Sequence, residues 1–236
     1  LKKNQNKMRF CSLLIWKRLY LKKEILSEIL MDEMSFILLN EKDRSFVYYI
    51  VNVVLRNSVQ IEFFYKRFLK KKINNDLVDL KGILSLGTAE IFWSRTPHYA
   101  IVDNYVDLTK KKFGKKNAGF INAILLNLIR NKETISSLNW NIRNNFPRPL
   151  LKNWEIYYGK KLTDDIINIF SSNPYLDLIC SKKMSNTYKK KLIQHLKGKE
   201  IYPNVIRSIY KGKISDIEGF LEGYWWIQDV GSYIHL

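Results

Sequence analysis

Residues 82–130, GILSLGTAEIFWSRTPHYAIVDNYVDLTKKKFGKKNAGFINAILLNLIR, decide the fold. Ile83, Leu84, Leu86, Ala89, Ile91 and Phe92 recur mostly at three-and-four spacing, which predicts a helix with one apolar face. Thr96-Pro97 ends it, because proline lacks an amide hydrogen and disfavours a helical residue before it. A second helix is expected from about Tyr99 to Lys112, with Ile101, Val102, Tyr105, Val106 and Leu108 turned inward. Its last turn is Lys110-Lys111-Lys112, and cations suit the carbonyl end of a helix. Phe113-Gly114-Lys115-Lys116 breaks the pattern, and a third helix follows with Phe120, Ile121, Ile124, Leu125, Leu128 and Ile129 inward. The expected product is a helical hairpin with its lysines gathered at the tip.

Working toward the N-terminus, the pattern stays helical. Glu41 and Asp43 open a helix through Arg56, placing acids at its positive end. Its expected inner face is Phe46, Val47, Ile50, Val51, Val54 and Leu55. Ser58 is the expected cap of the next helix, which carries Ile61, Phe64, Tyr65, Phe68 and Leu69 and ends at Lys70-Lys71-Lys72. Further upstream, Glu24 to Met31 and Arg9 to Tyr20 give two more helical segments, the latter burying Cys11, Leu14, Ile15 and Leu19. Residues 1–8, LKKNQNKM, read as a polar basic arm that would order only on phosphates. About seven helices are expected by Arg130, with no strand pattern between them.

Beyond Trp140 the composition changes. Asn141 to Pro149 reads as a connector, Pro149 to Tyr158 as a short helix ended by Gly159, and Asp164 to Phe170 as another. Tyr175 to Cys180 is a strand, Lys182 to Gly198 holds a basic helix, and Ile201-Tyr202 and Val205 to Tyr210 are further short strands. This half is expected to be α+β.

The chain has 236 residues, 46 % of them apolar and 14 % aromatic, enough to bury a sizeable core. Lys and Arg number 40 against 22 Asp and Glu, a net charge of +18 concentrated before Leu151. Such a surplus favours a polyanion, nucleic acid before membrane; a lysine-rich codon bias is the bland alternative. Lys17-Arg18 cuts the N-terminal apolar run short of a membrane span. Cys11 and Cys180 form no paired or metal-ligand motif, and His98, His195 and His235 add no ligand spacing. A cytoplasmic protein is expected.

A family resemblance rests on particular residues. Leu84, Leu86-Gly87, Pro97-His98, Ala100, Val102, Val106, Leu108, Ala118-Gly119-Phe120, Asn122-Ala123 and Leu125 resemble the NusB-type RNA-binding domain. The form they resemble most stands at the N-terminus of the bacterial 16S ribosomal RNA cytosine-C5 methyltransferases, the RsmB/Sun family. Asp43-Arg44 and Leu55-Arg56 match paired positions of that family by type and spacing. The order Trp154, Tyr158-Gly159, Pro174, Leu176-Asp177-Leu178 is similar to its linker domain. Most specific is Gly219-Phe220-Leu221-Glu222-Gly223-Tyr224-Trp225-Trp226-Ile227-Gln228-Asp229, which resembles the loop leading into the S-adenosylmethionine-binding sheet.

The resemblance implies an all-α NusB-like bundle over residues 1–140, an α+β linker domain over 141–226, and the start of a methyltransferase domain at 227–236. The Rossmann-like catalytic domain itself is expected to be missing, and to be the intramolecular partner of this region. S-adenosylmethionine would serve the full-length enzyme, but no Gly-rich turn for it stands in this chain. The family chemistry also implies a Pro-Cys and a Thr-Cys; Cys11 follows Phe10 and Cys180 follows Ile179, so no catalytic residue is assigned. His98 at a helix start, Asp164-Asp165 early in a helix and His195 on a lysine-rich one all have structural explanations.

Candidate RNA contacts are Lys2, Lys3, Lys7 and Arg9 in the arm, Arg44 and Arg56 at the ends of their helix, and Lys110, Lys111, Lys112, Lys115 and Lys116 at the hairpin tip. Lysine clusters of this kind position a phosphate backbone and do not read bases. A solvated helix end would carry the same residues. The expected function is therefore the RNA-binding, substrate-positioning region of a small-subunit ribosomal RNA methyltransferase. The alternatives are a non-enzymatic NusB-like antitermination factor and a helical protein–protein module.

Overall fold

The computed structural model describes residues 2–71, 73–74, 77–172, 174–210 and 212–234. Two compact units divide the chain, residues 1–164 and 165–236. The first is all-helical and the second is a smaller α+β unit.

In the first unit α1 (Lys2–Lys17) runs into a short π-helical turn, Arg18–Lys22. Then follow α2 (Leu26–Asp32), α3 (Met34–Ile37), α4 (Glu41–Arg56), α5 (Ser58–Lys66), α6 (Val78–Trp93), α7 (His98–Arg130) and α8 (Lys132–Ser136). The basic arm is helical from Lys2 onward, and the Asn6 side-chain amide donates to Asp107 of α7 at 2.5 Å. Asn40 caps α4 by accepting from the Asp43 amide at 2.9 Å. Ser58, the expected cap of α5, is instead its first helical residue. On α4, Val53 takes the buried place expected of Leu55, which is 44 % exposed.

α6 is the axis of this unit. Apolar spacing predicts one buried face, yet every residue from Gly82 to Ile91 is buried. Small residues on the remaining faces explain this. A Cβ on Gly82 would stand 2.6 Å from Leu13 and 2.7 Å from Trp16, and one on Gly87 would stand 2.9 Å from Leu125. Bare backbone at these two positions lets α1 and α7 close on α6 from different sides. Its buried charged residue, Glu90, is neutralised by Arg9 of α1.

α7 holds the expected hairpin. Its helical geometry is interrupted at Gly114, with φ 86° and ψ 167°. The halves fold back on one another: His98 at the start of α7 has its Nε2 3.2 Å from Nζ of Lys132, just past the end. That backbone region is open almost only to glycine, whereas a Cβ there would meet nothing within 4 Å. Gly114→Ala is therefore expected to cost about 1–3 kcal/mol through conformation alone. Urea unfolding of the two proteins measures it; equal midpoints would mean that the turn forms without that geometry.

α9 (Arg148–Ser171) carries a second break of the same kind at Gly159, φ 72° and ψ 166°. Arg143 spans the break by ion pairs to Glu155 before it and Asp164 after it.

The second unit contains β1 (Leu176–Cys180), α10 (Asn186–His195), β2 (Lys199–Tyr202), β3 (Val205–Ser208), β4 (Trp225–Ile227) and α11 (Val230–Ile234). The strands form one antiparallel sheet in the order β2-β3-β1-β4. Leu178, Cys180, Ile206 and Trp225 pack with Leu192 and Leu196 of the α10 segment into its core. Gly219 has φ 84°, and a Cβ there would lie 2.8 Å from the Tyr188 hydroxyl and 3.2 Å from Trp225 Nε1. That closeness lets the Gly219–Gly223 loop lie against the buried indole, which donates to the Glu218 carbonyl at 2.8 Å.

Candidate nucleic-acid interface

Lys110, Lys111, Lys112, Lys115 and Lys116 are all exposed, on both sides of the Gly114 break. The turn thus concentrates five cations that one straight helix would have spread around its circumference. Asp107 accepts from Lys111 Nζ at 2.7 Å, and Lys112 Nζ lies 4.2 Å from the centroid of the Phe10 ring on α1. These contacts steer two lysines, and the Asn6–Asp107 bond fixes the start of α1 beside them. Lys7 is exposed on that same helix.

Arg9 is a correction. It is 2 % exposed, its Nε donates to Glu90 at 3.1 Å, and its Nη2 pairs with the other carboxylate oxygen. The guanidinium also lies 5.5 Å from the Phe46 ring centroid and 5.4 Å from that of Tyr105. A group so enclosed is not placed to meet a phosphate; it ties α1 to α6. Arg44 and Arg56 are exposed at opposite ends of α4, ~18 Å apart along the axis. The side chains of Lys2 and Lys3 lie outside the described residues.

Two further lysines, Lys70 and Lys71, follow α5 and line the same groove as Lys116 of α7. The run Lys70-Lys71-Lys72 is visible in the sequence, but only the packing of α5 against α6 and α7 brings it there; Lys72 lies outside the described residues.

Neither cysteine is activated as a nucleophile. Burial pushes the Cys11 thiol up to about 11, partly opposed by a hydrogen bond with Ser35, and burial also raises Cys180. At neutral pH both are protonated thiols. Burial and then the charge of Lys132 hold His98 below its ordinary value, as befits a packed histidine. The sheet of the second unit lacks the parallel strands of the S-adenosylmethionine-binding fold that the resemblance implies. Cofactor crevices of the expected kind open at the carboxyl ends of parallel strands, and this sheet is antiparallel throughout. Among the described residues, no helix is long and apolar enough to cross a membrane.

Comparison with known proteins agrees with the helical core. The NusB family model matches residues 8–130, just over half of the 236-residue chain. The probable ribosomal RNA small subunit methyltransferase B of Synechocystis sp. is 24 % identical over 209 residues, covering 82 % of this chain and 46 % of that protein. The crystal structure of PH0851 superposes with a TM-score of 0.56 at 10 % identity, covering 99 % of this chain and 54 % of that one. That likeness is one of fold. The chain spans about half the length of each of these two proteins.

Proposed function

The chain belongs to the NusB family, and we propose that it is the RNA-binding, substrate-positioning region of a small-subunit ribosomal RNA methyltransferase. The observation that carries RNA binding is the lysine patch on both sides of Gly114: five exposed cations on a two-helix support. A patch of this kind grips phosphates irrespective of sequence and sets the register in which a separate catalytic site meets its base. Support for the methyltransferase context comes from the extent of similarity. The Synechocystis protein aligns with 82 % of the chain, well past the 8–130 match, and so takes in part of the sheet-bearing unit. A free-standing antitermination module has no need of that unit. In this proposal S-adenosylmethionine is held by residues outside the chain, and the chain's own part is to bind and orient RNA.

Replacing Lys111, Lys112, Lys115 and Lys116 together by alanine tests it, with a small-subunit ribosomal RNA fragment titrated at several salt concentrations. The wild type is expected to lose affinity steeply with salt. Each phosphate contact removed should flatten the log–log slope by about 0.7–0.9, with helix content unchanged by circular dichroism. Equal affinity and equal slope in the variant would remove this tip from the interface.

A further inference from the structure

The helices α2 and α3 have seven and four residues, too few for either to be stable alone. Arg18 fastens them to the end of α1: its Nε donates to Glu24 at 2.8 Å, just before α2, and its Nη1 to Asp32 at 2.6 Å, the last residue of α2. Glu33 caps α3 by accepting from the Ser35 amide at 3.3 Å, and Ile29 and Leu39 sink into the core. What this anchored pair leaves outside is apolar. Ile25, Met31, Met34, Ile37 and Leu38 are all exposed, Met31 at 80 % and Leu38 at 78 %. Met34, Ile37 and Leu38 stand at i, i+3 and i+4, which are neighbouring positions on a helix surface. Single exposed apolar residues are ordinary, but five within one short stretch make a patch.

We propose that this face docks a basic amphipathic helix of another protein. Charge complementarity selects the occupant. From Glu24 to Glu41 the chain carries five acids and no lysine or arginine, although its net charge is +18. Glu28 is exposed one helical turn before Met31 and Asp32, so carboxylates flank the apolar side chains. Phosphates of RNA and anionic lipid headgroups are repelled by such a rim. A helix with lysine or arginine on one side would lay its apolar side over the methionines and bring its cations beside the carboxylates. Unbranched methionine side chains adapt to the partner's surface, which suits them to a docking face rather than to a rigid core. The inference does not depend on the RNA reading, because it uses none of the lysines at the Gly114 turn.

The test titrates the full chain, isotope-labelled at its methionine methyl groups, with a synthetic amphipathic helix of leucine and lysine. A second peptide carries glutamate in place of every lysine. The four methionines report the site by nuclear magnetic resonance: Met31 and Met34 lie on the face, whereas Met8 packs on the helical core and Met184 on the core of the sheet-bearing unit. The lysine peptide is expected to bind saturably and less tightly as salt is raised, with methyl shifts confined to Met31 and Met34. Met34→Lys combined with Leu38→Lys should lose about tenfold in affinity at an unchanged melting temperature, since both side chains are exposed. The four-alanine variant of the Gly114 turn should bind the peptide as the wild type does, whatever becomes of its RNA binding. Shifts at Met8 or Met184 instead, equal binding of the glutamate peptide, or no saturable binding would each overturn the proposal. Sedimentation of the chain alone tests the other occupant: a dimer dissolved by Met34→Lys with Leu38→Lys would give the face to a second copy and overturn the proposal as well.

Discussion

Glu90→Ala is expected to destabilise the helical unit by about 3–5 kcal/mol, the usual cost of removing one member of a buried ion pair. Glu90 is 0 % exposed and Arg9 2 %, so no bulk water reaches the charge left behind. The remaining neighbours of the guanidinium include the Phe46 and Tyr105 rings, at 5.5 Å and 5.4 Å, and ring faces do not replace a carboxylate. The loss is a large share of the roughly 5–15 kcal/mol by which a domain is ordinarily stable. Thermal and urea melts followed by far-ultraviolet circular dichroism measure it. A companion variant separates the effect of charge from lost packing: Arg9→Met with Glu90→Leu removes both charges and is expected to recover most of the stability. If Glu90→Ala melted like the wild type, the guanidinium would have found another acceptor, and the tie between α1 and α6 would rest on apolar contacts and the Lys17–Asp79 ion pair.

The second large effect is expected in the sheet-bearing unit. Trp225→Ala should cost about 3–5 kcal/mol, because its indole is 2 % exposed, packs among Leu178, Cys180 and Ile217, and donates to the Glu218 carbonyl. Trp226→Ala should change stability by no more than about 0.5 kcal/mol, since that ring is 44 % exposed and its Nε1 bonds the neighbouring Gln228 side chain at 2.9 Å. Intrinsic fluorescence during urea unfolding distinguishes the two variants. Equal losses would mean that the strand can turn over and bury either ring. Trp225 is therefore the packed ring of the pair, and Trp226, beside Ile227-Gln228-Asp229, is the exposed one.

The Trp225–Trp226 pair shows where local patterning stops being informative. Alternation along a strand requires that one indole point in and the other out. Which one is buried follows from register: Trp225 stands opposite Cys180 and Trp226 opposite Ile179, and α10 covers the face that carries Cys180. No property of the dipeptide itself distinguishes the two. Arg9 is a similar case. Four residues of a basic arm look alike in sequence, and the carboxylate that takes one of them inward lies 81 positions away. A cation is drawn into a core only when its partner is already there, so its fate belongs to the packed state.

The same reasoning divides the interface. The lysines at Gly114 are legible because the turn that gathers them is local: a helix pattern stops, a glycine stands in the gap, and cations flank it. Lys70 and Lys71 are equally visible as residues, yet their place beside Lys116 depends on how α5, α6 and α7 pack.

By itself, the sequence determined the helical character of the first unit, its breaks at Pro97, Gly114 and Gly159, the α+β character that follows, and the cationic surplus. These are set by backbone preferences and apolar periodicity acting over one or two turns of chain. Only the tertiary structure decided that α6 is buried all round, that Arg9 lies inside and Lys116 outside, that Trp225 rather than Trp226 fills the sheet core, and that two lysine runs share one apolar groove. Each of these depends on which groups distant in sequence exclude water together, and burial is a property of the packed assembly.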